Sequence, residues 1–344
     1  MCPFRCLQGA NNMNKKRIII VVTLLLLLLI GIFLTQRSSI PSNNQQAQVI
    51  TPSPINPSVM PRSLSGDLIT YSGEVVATFP TSVRYYSLTR IRDFESERAR
   101  LFALYAPSTT PTVVVGSKGR YTSFSSGRTS GTLSENPLSF AFHTASDSSR
   151  FVSNDLNVYS SLVEEVLTAL SVLPKPFTTK LLSQQFFSFD EPHPTELTSP
   201  QGALITRLNY TVTLDGVPFY LNDANSPVFS ASINGDNVIT EIQGYMLPDV
   251  SRTEKSLAII PYSEAVLRLR ANKGVLSSVS LAKQGNQEFM TGEVPRDIKI
   301  TNVTLGYFYS THQDYLVPVF VFEGSAEETE GSALLHTTTI VSAL

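Results

Sequence analysis

The sequence predicts an α+β protein built from repeated small units, each laying one helix across an antiparallel sheet, behind a single N-terminal transmembrane helix and a linker. Three observations predict it. An uncharged apolar run fills Ile18–Leu34, apolar residues of one parity recur along Leu204–Leu214, and the order helix, strand, strand, strand recurs about three times.

The apolar run reads IIIVVTLLLLLLIGIFL, seventeen residues without a charge. At about 1.5 Å per residue it spans roughly 26 Å, close to the hydrocarbon thickness of a bilayer. A helix satisfies its own backbone there, so a spanning helix is expected. Lys15, Lys16 and Arg17 precede the run, and Arg37 alone follows closely. The positive-inside rule therefore puts residues 1–17 in the cytoplasm and the chain beyond residue 35 outside. A cleaved signal peptide shares the basic start, but TQRSSIPSNNQQAQ after Leu34 has no small-x-small cleavage pattern, which predicts a retained anchor. Met13 opens MNKKRIII, a conventional bacterial n-region, and is a second candidate start beside Met1. Pro41, Pro52, Pro54, Pro57 and Pro61 then stand among Ser, Asn and Gln, so residues 35–65 read as an extended spacer.

Composition narrows the classes. Both cysteines, Cys2 and Cys6, precede the anchor, so the exported part has no disulfide, thiolate nucleophile or cysteine metal site. With 42% hydrophobic residues, 13 Tyr and 19 Phe, the whole chain has the material for an unstapled core. Beyond residue 37 stand 21 basic against 28 acidic residues, a net of −7. That balance argues against nucleic acid and against adhesion to anionic polymers by bulk charge.

Two exported domains are expected, 66–150 and 151–344, the second containing units at about 151–250 and 251–344. The first helix is placed at Phe94–Tyr105, capped by Asp93 and ended by Pro107, with strands at Arg120–Ser125, Arg128–Leu133 and Leu138–His143. The second helix, Leu156–Leu173, puts Leu162, Val163, Val166, Leu167 and Leu170 on one face, with Asn154 or Asp155 as cap and Pro174 as stop. In Leu204–Leu214 the residues Leu204, Leu208, Tyr210, Val212 and Leu214 share one parity. Asp215-Gly216 and Asn234-Gly235 supply the positive φ that two-residue hairpins need, leading to Val217–Leu221 and Val238–Met246. The third helix starts at Pro261, buries Tyr262, Val266 and Leu269, and ends with Gly274 as the left-handed cap. Strands Ile298–Tyr309, Tyr315–Phe322 and Leu334–Val341 close the chain, the middle one apolar on both parities and carrying Pro318, which suggests an edge or a bulge.

Chemistry-bearing patterns are thin. His143, His193, His312 and His336 each stand alone in their segments. His193 lies in Asp190-Glu191-Pro192-His193-Pro194, whose carboxylates and imidazole suit a divalent ion, although two prolines fit a rigid exposed loop better. Gly127-Arg128-Thr129-Ser130-Gly131 lacks the spacing of a nucleophile elbow, and Gly116-Ser117-Lys118-Gly119 lacks the frame of a phosphate loop. Glu327, Glu328 and Glu330 fit a solvated hairpin loop, and the sequons at Asn209 and Asn302 matter only in a glycosylating host. No catalytic residue, metal or cofactor is expected.

The segment Ile300–Tyr309, with Leu305-Gly306-Tyr307-Phe308, followed by Tyr315-Leu316-Val317-Pro318-Val319-Phe320, resembles the signature end of the YycI/YycH family. Asp215-Gly216-Val217-Pro218-Phe219-Tyr220, Asn234-Gly235 and Ile239–Met246 resemble its middle, so the likeness covers residues 200–344 and the anchor topology. Where the family carries Trp after the proline, this chain has Val319-Phe320. The resemblance implies PepSY/cystatin-like units on a single-pass membrane protein that regulates a membrane sensor kinase through protein contacts. The expected function is thus a non-enzymatic, membrane-anchored extracytoplasmic regulator of a signalling or envelope-maintenance complex. The alternatives are a ligand-binding or structural envelope protein and, further off, a wall hydrolase. Tyr307, Tyr309, Tyr315, Phe320 and Phe322 are the candidate partner-binding residues, because their strands hold more large apolar side chains than one helix covers. A neighbouring unit of the same chain is the competing cover for them. On this topology, protease added to intact spheroplasts is expected to digest the chain beyond Arg37, and recovery of a protected C-terminal domain would reverse the orientation.

Overall fold

The computed structural model describes residues 49–50, 69–90, 92–105, 112–117, 119–146, 148–189, 194–221, 227–282, 288–290, 295–309, 314–327 and 334–344, all within one compact unit that begins at Val49. The apolar run Ile18–Leu34, nearly all of the spacer, Asp190–His193, Lys118, His312, Glu328 and Glu330 lie outside them. Among the described residues no helix is long and apolar enough to cross a membrane.

In chain order the elements begin with β1 (Val49–Ile50), β2 (Thr70–Ser72), β3 (Ser82–Arg90) and α1 (Phe94–Tyr105). Next come β4 (Thr112–Gly116), β5 (Gly119–Ser126), β6 (Thr129–Ser134), β7 (Ser139–Thr144) and α2 (Leu156–Ala169). A long β stretch follows as β8 (Phe177–Ser188), β9 (Thr195–Leu197), β10 (Ile205–Leu214), β11 (Val217–Tyr220), β12 (Phe229–Asn234), β13 (Ile239–Tyr245) and β14 (Asp249–Ala258). The chain closes with α3 (Tyr262–Arg270), β15 (Val275–Ala282), β16 (Glu288–Met290), β17 (Asp297–Phe308), β18 (Val317–Glu327) and β19 (Leu334–Ser342).

The fold class expected from sequence is corrected. The protein is mostly β, with three helices among the described residues, and sixteen strands join in one large mixed sheet in place of repeated helix-on-sheet units. Its path runs β16-β15-β19-β18-β17-β11-β10-β12-β13-β7-β6-β5-β4, with β2 beside β17, β8 beside β10 and β9 beside β8. Two pairings make it continuous. β13 runs antiparallel to β7 from Glu241↔His143 to Tyr245↔Ser139, and β11 runs parallel to β17 at Phe219↔Tyr307 and Tyr220↔Phe308. Alternation in a sequence reports which side chains are buried but not which strand lies alongside, so these joins were invisible to it. A separate three-stranded sheet is formed by β1, β14 and β3.

Most local elements stand where their patterns put them, with informative exceptions. Asp93 caps α1, its Oδ1 accepting from the Ser96 amide at 2.9 Å, and Asp155 caps α2 through the Val158 amide at 3.3 Å. Helix α2 stops at Ala169, short of Leu173, because Ser171 turns left-handed at φ 50°. The Asp215-Gly216 turn has the expected positive φ at both residues, 51° and 80°. Asn234-Gly235 does not, since the loop is longer and Asn237 takes the positive φ while Asn234 Oδ1 accepts from the amides of Asp236 and Val238. Gly235 is needed for another reason: a Cβ there would collide with the Arg150 carbonyl. After α3 the left-handed residue is Asn272, not Gly274, and its side-chain amide exchanges hydrogen bonds with the backbone of Ile69. Pro318 is not on an edge, because β18 runs between β17 and β19; the proline is tolerated as the second residue of its strand.

The core follows the sheet. Strand β18 is buried on both parities from Val317 to Phe322, as its composition predicts. On one face Tyr262 of α3 stacks on Phe322 with an interplanar angle of 19°, and Phe79 meets Phe320 edge-on at 5.2 Å. In the other half, Tyr159, Val163 and Leu167 of α2 bury against the sheet, and Tyr210 of β10 donates to Ser160 across that contact. Phe102 of α1 meets Phe124 of β5 edge-on at 4.9 Å. Replacing Phe320, which has no exposed surface, by Ala is expected to cost about 3–5 kcal/mol in urea unfolding. Leu267→Ala on the open side of α3 should change stability by less than about 0.5 kcal/mol, and equal losses for the two would contradict this core.

Candidate interaction face

The aromatic residues expected to meet a partner are placed by the structure inside the chain. Tyr307, Tyr315, Phe320 and Phe322 are buried, and Tyr309 is half-buried against the same core. Their cover comes from segments remote in sequence. Tyr86 of β3 meets the Tyr307 ring edge-on at 5.3 Å, Tyr85 lies 5.6 Å from Tyr315, and Phe79 and Tyr262 cover the two phenylalanines. The Tyr307 hydroxyl is also spent internally, donating to the Arg84 carbonyl at 2.8 Å, and burial pushes its pKa up. These rings belong to the core.

Two polar junctions tie the elements together. At the first, Asp215, in the turn between β10 and β11, accepts from the Tyr86 hydroxyl and from Arg84 Nη1 at 3.1 Å, with Arg252 Nε at 3.7 Å. Burial, then the hydrogen bond to Asp215, raises the Tyr86 pKa, so that hydroxyl stays a donor. At the second, the buried Glu97 of α1 accepts from Arg100 Nε at 2.8 Å and lies 3.7 Å from Arg92 Nη1. Arg100 and Arg92 also donate to the carbonyls of Leu170 and Ser171 at the end of α2, and Arg92 pairs with Asp249 at 3.2 Å. Both junctions have their polar groups turned on one another. They position elements and leave little to offer a ligand.

The open surface is the sheet face turned away from α1 and α2. In β10 the inward residues are Thr206, Leu208, Tyr210, Val212 and Leu214, and Arg207, Asn209, Thr211 and Thr213 point outward. Register aligns the outward residues into rows across the strands. One row runs Gln185, Arg207, Ser232, Glu241, His143, Ser130 and Ser125. The next runs Ser183, Asn209, Ser230, Gln243, Ala141, Thr132, Ser123 and Thr112. From β8 to β13, cross-strand bonds hold these side chains in place. Asn209 Nδ2 donates to Ser183 at 2.9 Å, its Oδ1 accepts from Ser230 at 2.7 Å, and Arg207 pairs with Glu241 at 3.3 Å while covering the Phe187 ring.

Two residues that stand alone in sequence, His143 and Ser130, meet here beside Glu241. The trio does not make a proton relay, because the Glu241 carboxylate is turned to Arg207 and Ser232. Sequence reasoning missed the face itself. Its signal was present in the small polar residues of alternate parity in β5, β6, β10 and β12, but only register lines them up.

No family model matches the chain, and no curated protein matches it.

The electrostatics on the opposite side of the sheet, toward α1, are testable, since Arg120 also reaches Glu95 of that helix at 2.7 Å. Arg120 binds Glu135 through its guanidinium, with Nη2 to Oε1 at 2.7 Å, and through its amide at 2.9 Å, which holds the Glu135 carboxyl at about 2. A depressed carboxylate adds stability that is complete above the ordinary carboxylate range and is lost as pH falls from there through about 2. In an NMR titration Glu135 should protonate near pH 2, and in Arg120→Met it should move up toward the usual value of about 4.3. An ordinary titration in the unaltered protein would remove the pair.

Proposed function

We propose that this protein is a single-pass membrane protein, N-terminus in the cytoplasm, whose extracytoplasmic region works by binding a protein partner and has no enzymatic role. The partner best suited is a membrane signalling protein of the sensor-kinase kind, which the resemblance of residues 200–344 to the YycI/YycH family brings forward. The anchor rests on the Ile18–Leu34 run and its flanking charges. The binding role rests on one observation above the rest: the ordered polar face spanning seven strands from β8 to β5. Gln185, Arg207, Asn209 and Glu241 are half-exposed yet tied to their neighbours, with Ser230 and Ser232 buried between them, so a partner meets that part of the face without a large ordering cost. Arg, Glu, Asn, Gln and Ser in rows offer donors and acceptors of both kinds, which suits a polar protein surface. A ligand-binding or structural role in the envelope is the second reading, favoured by the same rows of hydroxyls and amides.

A photo-crosslinking residue at Gln243, exposed on the face, is expected to capture a membrane kinase in living cells. The same residue at Val76, exposed elsewhere, should not. Capture of no membrane protein from the face, with the chain present in the membrane fraction, would sink the regulatory reading.

A further inference from the structure

We infer that β4 is the seat of a two-fold contact between copies of this chain, formed when the strand pairs antiparallel with its own counterpart. The strand ends the long sheet path, and among the described residues it pairs with β5 alone. It reads Thr112-Val113-Val114-Val115-Gly116, and its valines are 37%, 39% and 77% exposed in that order. Proteins ordinarily blunt such an edge with a lysine, a proline or a bulge. The five residues of β4 include no charge and no proline, Pro111 standing just before them, and there is no register shift along the pairing with β5.

The register determines which backbone groups are free. The Arg120 carbonyl accepts from the Glu135 amide, so the even residues of β5 bond toward β6 and Tyr121 and Ser123 bond toward β4, which makes Val114↔Tyr121 and Thr112↔Ser123 the hydrogen-bonded pairs. Val113 and Val115 therefore turn their amides and carbonyls outward. About a two-fold axis through Val114, Val113 faces Val115 of the second copy, and each such pair exchanges two backbone hydrogen bonds. Val114 then meets its own counterpart at a non-hydrogen-bonded position, with Cα atoms about 4.5 Å apart. Thr112 falls opposite Gly116, so no like charges meet.

A foreign strand could use the same backbone groups, but nothing charged or shaped in the five residues selects one. Pairing with itself satisfies both edges at once and closes, as isologous contacts do. It also has a consequence for the polar face. Val114 shares a parity with Tyr121 and Ser123 is two residues on, so the face of one copy continues into that of the other. This contact does not depend on the kinase-directed reading.

The test uses the full chain in membranes, with Cys2→Ser and Cys6→Ser removing its only thiols. Val114→Cys should form a disulfide under mild oxidation, since about 4.5 Å between Cα atoms lies within disulfide range. The band should shift from 37.7 kDa to twice that mass on a non-reducing gel. Val113→Cys should shift only when co-expressed with Val115→Cys, and adding Val115→Lys to Val114→Cys should abolish the shift. The proposal is overturned if Val114→Cys stays at the single-chain mass, or shifts no more than Val238→Cys, an exposed valine away from this edge. Crosslinking of Val114→Cys to a different protein would assign the edge to a foreign strand and overturn it equally.

Discussion

The two halves of the large sheet are joined by the short parallel pairing of β11 with β17, through which the β17–β18–β19 side is attached to β10 and the strands beyond it. Tyr220 lies beside Phe308 there, and its ring occupies the space where a Cβ on Gly306 would stand. The Tyr220 hydroxyl reaches Thr304 at 3.0 Å, and its carbonyl accepts from the Tyr309 amide at 3.0 Å. Gly306 is therefore required by close approach, not by its backbone angles. Once β17 is held, β18 and β19 pair outward from it, and Tyr307 is presented to Tyr86 of the small sheet. The Asp215 turn closes the same corner, because the residue that starts β11 toward β17 also receives the Tyr86 hydroxyl and the Arg84 guanidinium.

The second junction shows how an expensive group is accommodated. Taking Glu97 and Arg92 out of water costs several kcal/mol per ion even after relaxation. The compensation is geometric: Arg100 binds the carboxylate through Nε and Nη2, and both arginines cap carbonyls at the end of α2. In this cluster Arg92 Nε has no hydrogen-bond partner among the described residues. Such a cluster is weak evidence for net stability, and losing one partner from it would leave a buried charge unpaired.

With the aromatics consumed by the core, the chemistry left on the outside is that of an antiparallel sheet with one face solvated. The polar rows, the His143–Glu241 alignment and the β4 edge belong to the same end of the sheet path. A partner would meet an already ordered, mixed-charge plane, bounded on one side by an apolar edge. That combination favours recognition by many modest contacts over a single deep pocket.

Local patterns in the sequence determined the helices at Phe94, Leu156 and Tyr262, the Asp215-Gly216 hairpin, the parity of Leu204–Leu214 and the double burial of β18, because each depends on residues close in the chain. The run expected as an anchor lies outside the described residues. Tertiary structure alone decided the rest. Helix-strand-strand-strand order suggested separate units, but β7 and β13, and β11 and β17, are partners across about a hundred residues of sequence, and no local signal encodes a neighbour. The density of Tyr307, Tyr315, Phe320 and Phe322 was legible, but their covers, Phe79, Tyr85, Tyr86 and Tyr262, come from elsewhere in the chain. The polar face is the converse case. Serines, threonines and single charged residues carry no weight one strand at a time, and become a surface only when register sets them side by side.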